Sequence, residues 1–499
     1  MTKARNLSDL LDGNGDVKSA NLDNVPASDN ASALTTGTLP AARIGASSIT
    51  VDKTNFVAST DSLNLPRGTT AQQPTPSASN EGAVRYDTDD NIIYYSDGVS
   101  WKKVSSIIPT LTGVTGTILN TITTNLTLAG TGFLTANLVV SFTPSGGSAS
   151  TVTVTPTSDT AATVAVPSAI YNQSSGTTIA IKVTNSDAGE SGTQNVTVTA
   201  LPSGGSISSS GNFRIHTFNS SGTFTNTVAN LTGQYLVIAG GGGGGSTDGQ
   251  QDDTGGAGGG GAGGYRCSVP SESSGGGASA ESTATFGASA YTVTVGAGGS
   301  GGTGTNNNSG SQQGTNGSNS SISGSGVSIT STGGGGGGRT DTSAHNGNSG
   351  GSGGGGGGHG TSTGNGGSGT SGQGFAGATN SGGVGGGGGG AGEAGGTDNN
   401  GDGTTPFDGG DGVASSITGS SVTRAGGGAS EQGGGGTAGV AGDGGGGQSA
   451  QRNVQNSGAG SANTGGGGGA GADSNNASEV NGSNGGSGVV IIRYDTTTL

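Results

Sequence analysis

The chain has 499 residues, of which 116 are glycine, whereas aromatic residues make up 4% and charged residues 9%. Hydrophobic residues amount to 27%, against roughly 45–50% in an ordinary domain, so one large apolar core is excluded. The formal net charge is −15 and the last lysine is Lys182, which argues against binding to nucleic-acid phosphates or to an anionic membrane surface.

Glycine is concentrated in the second half of the chain. Residues 1–239 hold 21 glycines and residues 240–499 hold the other 95, or about 37% of that stretch. The glycines occur in blocks, such as 333–338, 353–358 and 385–390, without a period of three. A collagen triple helix is therefore excluded, while a flexible glycine–serine linker remains an alternative at this point.

Residues 1–65 are rich in Asp, Asn, Ser, Ala and Thr and show no sustained helical or strand period. They begin MTKARNLSDLL, which lacks the apolar region of a signal peptide, and no run of 18 apolar residues occurs in the chain. We therefore expect a soluble product made in a cytoplasm. The segment TGTLPAARIG at 36–45 resembles segments of bacteriophage tail-fibre proteins, and the resemblance implies that residues 1–65 attach the chain to a virion.

Residues 66–107 predict a small β-meander. β-forming residues at 83–86, 92–95 and 101–104 are separated by turns rich in Asp, Asn and Gly. A unit of this size does not bury enough surface to be stable alone, so we expect it to trimerise or to pack on a neighbour. The pattern is similar to a module near the start of marine phage fibres.

Residues 108–202 predict a β-sandwich, because strand-like runs recur with turn signals between them (125–128, 137–142, 151–155, 163–166, 178–183 and 195–199). Val152 and Val154 alternate with threonines, as in a half-buried antiparallel strand. The motifs PTLTGVT at 109–115 and LTLAGTGF at 126–133 resemble the IPT/TIG class of immunoglobulin-like domains. That resemblance implies a domain in which Phe133 fills the core and which acts as a spacer or makes a weak carbohydrate contact; we favour the spacer.

A linker is predicted at 203–211, and residues 212–499 form the glycine-rich part. It starts with β-like runs at 213–218, 222–224 and 234–239 and ends with the apolar run 488–495. These terminal runs could pair and close a domain. A disordered linker has no need of such strands, nor of the internal run AYTVTVG at 290–296.

The ordered blocks of residues 212–495, from IHTF at 215–218 through YLVIAGGGGGG at 235–245 to GVVIIRY at 488–494, are similar to the C-terminal glycine-rich domain of phage fibre and adhesin proteins. The resemblance implies a lattice of polyglycine II helices with the segments between glycine runs as surface loops at its tip. Such helices have three residues per turn and no internal hydrogen bonds, so order must come from contacts between many runs.

Few residues carry chemistry. GxGxxG matches occur by chance at this glycine content, no Gly-Lys pair supports a P-loop, and three scattered histidines with one cysteine, Cys267, cannot build a catalytic triad or a zinc site. Because Cys267 is the only cysteine, the chain cannot form an internal disulfide. The acidic stretch 12–16 is interpreted as a solvated turn. The aspartates around 398–411 are interpreted as an exposed loop, with calcium binding or a receptor face as the alternatives. We expect no enzyme activity, no metal and no cofactor.

The candidate binding residues are the large or charged side chains that stand in or next to the segments between glycine runs, because loops on a rigid scaffold often carry recognition. They are Arg339, His345, His359, Phe375, Phe407, Arg424 and Arg452. The alternative for each residue is a purely structural role, in which the phenylalanines fill the lattice and Arg424 caps carbonyl groups.

Together these features predict a mainly β chain with extended and meander segments, one immunoglobulin-like sandwich and a C-terminal domain of short strands and polyglycine II helices, assembled as a homotrimeric fibre. The resemblance implies a virion protein, assembled in the host cytoplasm, whose N-terminus binds other virion proteins. Its glycine-rich tip would bind a host surface glycan or an outer-membrane protein. The alternative is a head, neck or capsid decoration fibre without a role in host range.

Overall fold

The computed structural model describes residues 65–104, 107–134, 136–248, 255–304, 310–341, 345–380, 382–396, 408–431, 438–474 and 479–499. The chain divides into two compact units, Met1–Val104 and Ser105–Leu499. Regular structure in the described residues is nearly all β, which confirms the predicted fold class. The predicted attachment segment lies outside the described residues except for Leu65.

In the first unit, four strands form one sheet in the order β1-β2-β3-β4. They are β1 (Arg67–Gly68), β2 (Val84–Asp87), β3 (Ile92–Ser96) and β4 (Trp101–Lys103). The antiparallel pairs β2–β3 and β3–β4 confirm the predicted meander. β1 pairs parallel to β2 and is too short for a sequence pattern to reveal. A 3-10 turn at Thr70–Gln72 follows β1.

The second unit begins with the predicted β-sandwich, now with eight strands: β5 (Thr110–Thr115), β6 (Ile118–Leu119), β7 (Asn125–Thr131), β8 (Leu138–Pro144), β9 (Ser150–Val154), β10 (Ala161–Ala165), β11 (Thr178–Thr184) and β12 (Gln194–Thr199). The sheets β10-β7-β5 and β6-β12-β11-β8-β9 enclose one apolar cluster. A single helical turn, α1 (Ser168–Tyr171), joins β10 to β11.

Phe133 occupies the core of the sandwich, as predicted. Phe133 is 2% exposed, and a Cβ on Gly130 would lie 2.7 Å from its ring, so the glycine makes room for the aromatic side chain. Val152 and Val154 face this core while the neighbouring Thr151 and Thr153 are exposed. The strict alternation in the sequence therefore gave the correct faces.

The glycine-rich part contains fourteen further strands in the described residues: β13 (Ser206–Ser210), β14 (Phe213–Phe218), β15 (Gly222–Asn226), β16 (Leu231–Ile238), β17 (Gly255–Gly256), β18 (Tyr265–Cys267), β19 (Ala284–Phe286), β20 (Ser289–Thr294), β21 (Ser320–Gly324), β22 (Val327–Ser331), β23 (Gly358–His359), β24 (Val413–Ser415), β25 (Val422–Arg424) and β26 (Val489–Asp495). A 3-10 turn, Thr496–Thr498, follows β26. Residues 203–211, predicted as a linker, include β13, which pairs with β14.

The central sheet has the order β13-β14-β26-β16-β18, with β19 also paired to β16. The C-terminal strand β26 lies between β14 and β16, so the two ends of the glycine-rich part pair directly and close it, as predicted. Both faces of this sheet are covered. Val237 and Ile492 contribute to a cluster shared with the sheet β15-β20-β21-β22, whereas Leu236 and Ile491 contribute to a cluster on the opposite face.

Glycine segments continue directly from these strands and form a hydrogen-bonded lattice. The segment 240–245 follows β16, and each of its amides donates to a neighbouring segment while each of its carbonyls accepts from another. The amides donate to 258–261, 315–318 and 483–486, and the carbonyls accept from 299–302, 334–337 and 468–471. Each neighbour is contacted at every third residue, which is the repeat of a polyglycine II helix.

Six neighbours around one helix define a hexagonal lattice, and the spacing leaves no room for side chains. A Cβ at Gly241, Gly242, Gly243, Gly244 or Gly245 would overlap a backbone carbonyl of an adjacent segment. Glycine is required here because of close approach, since none of these residues has a positive φ. A polyglycine II helix has no internal hydrogen bonds, so its buried N–H and C=O groups need partners in neighbouring segments, and the lattice supplies them.

We predict that Gly243→Ala destabilises the glycine-rich domain by about 1–3 kcal/mol or more, because the new methyl group would overlap the carbonyl group of Ser300. The measurement is the thermal unfolding of the full chain by calorimetry. Gly287→Ala is the control, since its Cβ would meet only the Tyr291 hydroxyl at 3.8 Å. This control should be neutral or slightly stabilising, and equal effects of both changes would contradict a close-packed lattice.

Candidate functional site

The segments of the lattice run alternately in two directions, so their turns lie at two ends. We call the end at the central sheet the base, where β16, β18 and β26 meet the lattice. The opposite end is the tip, at residues 246–248, 340–341, 430–431 and 472–474. The segment 240–248 leads from base to tip and 255–264 returns, with Gly242 and Gly245 bonded to Gly261 and Gly258.

This alternation corrects one expectation from the sequence. The segments between glycine runs were expected to lie together at the tip, but only every second one does. Turns at 358–364 and 451–457 are tip turns, whereas those at 371–374, 413–424 and 444–445 are base turns. Because each chain reversal changes the end, order along the chain decides which loops share a surface.

Four of the predicted binding residues lie at or near the tip, namely Arg339, His345, His359 and Arg452. Two others, Phe375 and Arg424, lie at the base. Phe407 lies outside the described residues, as do the aspartates at 398 and 402. The structure thus divides the predicted set between opposite ends of the lattice.

Arg339, Asp341 and His345 form a connected charged group at the tip. The Arg339 guanidinium lies 3.3 Å from an Asp341 carboxylate oxygen and also donates to the carbonyl of Ser311 at 3.0 Å. Nε2 of His345 lies 3.1 Å from the other Asp341 oxygen. All three side chains are partly exposed, so they present both signs of charge to solvent.

His359 and Arg452 are held by backbone contacts in two other tip turns. β23, which contains His359, pairs with β17, and the His359 carbonyl accepts from Ser362. The Arg452 amide donates to the Glu431 carboxylate at 3.4 Å. Both residues are partly exposed. Val454, two residues after Arg452, is 68% exposed and adds an apolar side chain to the same turn.

Phe375 and Arg424 have structural positions at the base. Phe375 is half-buried, and its backbone bonds to Gly390 and Gly353. Its ring lies close to Gly277, where an added Cβ would be 3.5 Å away. Arg424 ends β25, and burial lowers the pKa of its guanidinium. These two residues are therefore unsuited to a surface formed by the tip turns.

The tip also contains buried carboxylates that the sequence analysis did not single out: Asp248, Glu431, Asp473 and Glu479 are each at most 5% exposed. Each stands at the end of a lattice segment, where side chains first fit between the helices. Glu431 accepts from the amides of Arg452 and Asp473, and Glu479 accepts from the amide of Asn453 at 2.8 Å. The sequence signal that could have revealed these carboxylates is the placement of acidic residues where glycine runs end.

Burial raises the pKa of Glu431 to about 9, and the negative charge of Asp473 contributes in the same direction. The amides of Arg452 and Asp473 and the charge of Arg452 oppose this shift. Glu431 is therefore protonated at neutral pH in the folded chain and ionised in the unfolded chain. Its contribution to stability is complete below its ordinary pKa of 4.5 and falls as the pH rises from there toward 9.

We predict that Glu431→Gln stabilises the chain at pH 8 by on the order of 1–3 kcal/mol and has little effect near pH 4.5, because the amide keeps the neutral form. Unfolding midpoints measured from pH 4.5 to 9 for both proteins test this. Glu393→Gln, at an exposed position, is the control. A constant difference across the pH range would contradict the assignment.

Among the described residues, no group of three or more His, Cys, Asp or Glu side chains is placed to hold a metal ion. Within the same residues, no helix has the length and apolar character needed to cross a membrane. The buried thiol of Cys267 has a pKa raised to about 12 by burial, so it is held in the unreactive protonated form.

Comparisons with known proteins address the glycine-rich part. No curated protein matches the sequence. One similar solved structure is the crystal structure of chicken CNTN1 FN1-FN3 domains, with 15% identity and a TM-score of 0.15, covering 28% of this chain and 51% of that chain. The match thus spans about half the length of that structure, and a TM-score this low does not show a shared fold.

A family model described as "Glycine-rich domain" matches residues 217–495. The match begins at the end of β14 and ends at the last residue of β26, so it includes the whole lattice and most of the sheet that closes it. Because the match covers more than half of the chain, the chain belongs to the glycine-rich domain family.

Proposed function

We propose that this chain is a bacteriophage fibre whose glycine-rich domain binds a receptor on the host cell surface through the tip. The observation that carries the proposal is the rigid lattice that brings several separate turns, including those with Arg339, His359 and Arg452, to one end. Loops presented by a rigid scaffold are a common means of recognition because the scaffold limits the entropy lost on binding.

The chemistry of the tip favours a polar receptor such as a surface glycan or an outer-membrane protein. The Arg339–Asp341–His345 group supplies donors and acceptors, and exposed Val454 supplies an apolar contact. A contact through a few such side chains is weak. Several fibres on one particle would convert weak contacts into strong adsorption through effective concentration.

The remaining parts of the chain fit a fibre. The sequence resemblance at 36–45 supports attachment of residues 1–65 to other virion proteins, in a virion assembled in the host cytoplasm. The immunoglobulin-like sandwich has a continuous apolar core and serves as a spacer. In this proposal the protein binds without making or breaking covalent bonds.

We further propose that the fibre is a homotrimer and that the meander of the first unit contributes to its assembly. The buried face of that sheet is polar, with Arg85, Asp87 and Ser96 each at most 6% exposed. Asp87 accepts from Thr70 and Gln73. In residues 65–104, the one large apolar side chain in the buried class is Tyr94.

The opposite face of the meander is exposed and largely apolar, with Lys102 beside Tyr95 at its β4 edge. The cross-strand pairs Val84–Tyr95 and Tyr86–Ile93 share this face, and Val84, Ile93 and Tyr95 are 39%, 37% and 41% exposed. Ordering about 40 residues costs far more than polar contacts return. Burial of this face against other copies of the chain would supply the missing apolar contacts.

We predict that the purified full chain blocks adsorption of the phage that carries it, and that Arg452→Ala combined with Val454→Ser reduces this competition at least about tenfold. Both changes lie in one tip turn and would remove contact energy of about 1.4 kcal/mol or more. The measurement is free phage remaining after incubation of cells with increasing concentrations of protein.

Val422→Ser is the matched control for that experiment, because Val422 is also exposed but lies at the start of β25, in the β24–β25 hairpin at the base. It should compete as well as the unchanged chain. If saturating protein leaves adsorption unchanged, receptor binding is refuted and the alternative of a decoration fibre is favoured.

We predict that Ile93→Lys with Tyr95→Lys weakens trimer formation, because the two added charges would have to be desolvated on the proposed contact face. Sedimentation of the full chain should show a shift from trimer toward monomer at micromolar concentration. Val99→Lys is the control, since Val99 is 85% exposed in the turn before β4. An unchanged chain that is monomeric throughout would refute the trimer.

A further inference from the structure

A cavity of about 470 Å³ lies in the first unit, between β2, β4 and the covering segment, which comprises residues 66–74. Its walls include apolar side chains such as Trp101 and Pro74, together with the two arginines Arg67 and Arg85. The volume falls within the range of small-molecule sites, which are mostly apolar and carry a few polar groups that fix the ligand.

Hydrogen bonds between the sheet and the covering segment hold these walls in place. Nε1 of Trp101 donates to the carbonyl of Pro74 at 2.8 Å, and Nη2 of Arg85 donates to the carbonyl of Thr69 at 3.0 Å. Because side chains alternate along a strand, Arg85 and Trp101 lie on the face of the sheet away from Tyr95. The cavity walls are therefore distinct from the face proposed for trimer assembly.

Arg85 is buried but makes few contacts with the chain. Its residue surface is 6% exposed, and the bond to Thr69 is the one hydrogen bond that its guanidinium makes to the described residues. A guanidinium has five N–H donors. A Cβ on Gly68, which also lines the cavity, would lie 2.9 Å from Nη2, so the glycine leaves space for the guanidinium. Buried donors are nearly always satisfied, so the cavity is where acceptors are needed.

The positive charge of Arg85 also lacks a close counter-charge. In the described part of the first unit, neither of the ion pairs between side chains includes it. Asp87 on the same strand accepts instead from Thr70 and Gln73, each at 3.1 Å. Arg67 adds a second positive charge to the cavity. A water molecule would satisfy the donors but not the charges, and a buried charge without a partner is costly, so an anion fits the cavity best.

The remaining walls indicate what the anion is attached to. An inorganic ion would leave the apolar surfaces of Pro66, Pro74 and Trp101 in contact with water. A sugar ring can place its C–H groups against such surfaces, while its hydroxyl groups bond to solvent or to the amide of Gln72 at the cavity wall. A carboxylate on the same ring can accept two parallel bonds from the guanidinium of Arg85.

We propose that this cavity binds an acidic sugar residue, with its carboxylate at Arg85 and Arg67 and its ring against Trp101. Arg85 supplies most of the affinity because its charge is buried, whereas solvent screens the exposed Arg67. The site belongs to the first unit and does not depend on the receptor contact proposed for the tip.

Trp101 is the only tryptophan of the chain, so tryptophan fluorescence of the full chain reports on this cavity alone. We expect sodium D-glucuronate, added at constant ionic strength, to change the emission with a dissociation constant on the order of 1 mM. D-glucose has the same ring without the carboxylate and should bind at least about tenfold more weakly. Saturation transfer from the protein to the sugar protons, measured by NMR, detects the same binding without relying on fluorescence.

Two substitutions test the roles of the arginines. Arg85→Gln should weaken glucuronate binding at least about tenfold, and Arg67→Gln about three- to fivefold. Arg67 is exposed and its side chain makes no hydrogen bond to the described residues, so its variant keeps the fold even if Arg85→Gln unfolds the unit. Lys182→Gln removes one positive charge from the surface of the sandwich and is the control. It should bind glucuronate as tightly as the unchanged chain.

The absence of both a fluorescence change and saturation transfer with glucuronate would overturn the proposal. Equally tight binding of sodium acetate would show a simple anion site, and equally tight binding of glucose would remove the role of the carboxylate. Tighter binding of tetraglutamate than of glucuronate would favour an acidic peptide instead of a sugar. Undiminished binding by folded Arg67→Gln and Arg85→Gln would overturn the assignment to this cavity.

Discussion

The structure depends on the close contact between backbone amides of one glycine segment and backbone carbonyls of the next. Segment 240–245 is surrounded by six neighbours that it contacts at every third residue, and its glycines have no space for a Cβ. Each contact is an ordinary hydrogen bond with a modest net energy. Their number, and the exclusion of water from the lattice, offset the high entropy that glycine loses on ordering.

A lattice of this kind needs a template, and the central sheet provides one. Neighbouring strands are about 4.8 Å apart and rise about 3.3 Å per residue, while a polyglycine II helix rises about 3.1 Å. Strands β16, β18 and β26 can therefore continue as helices without a change of lateral position. Apolar clusters bury both faces of the sheet. Their side chains fix the positions of the strands, and the strands set the register of the glycine segments, which have no side chains.

Polar and charged side chains are confined to the ends of the lattice, and the two ends use them differently. At the tip, Arg339, Asp341 and His345 are partly exposed, while Glu431 is buried and neutral at pH 7. At the base, Tyr265 is buried against the central sheet and Arg424 is partly buried. The tip is accordingly suited to contact with other molecules, and the base to holding the layers together.

The sequence by itself determined the β class, the strands with strict alternation, and the closure of the glycine-rich part by its terminal strands, because these follow from local periodicity and from apolar runs such as 488–495. It also identified Phe133 as a core residue. Only the tertiary structure decided that β13 is a strand, since its serine-rich sequence has no periodic signal and pairing alone orders it. The same holds for the site: Arg452 and Arg424 both stand in or next to segments between glycine runs. Their separation to opposite ends depends on the direction of each segment, which is set by long-range hydrogen bonds that local sequence does not encode.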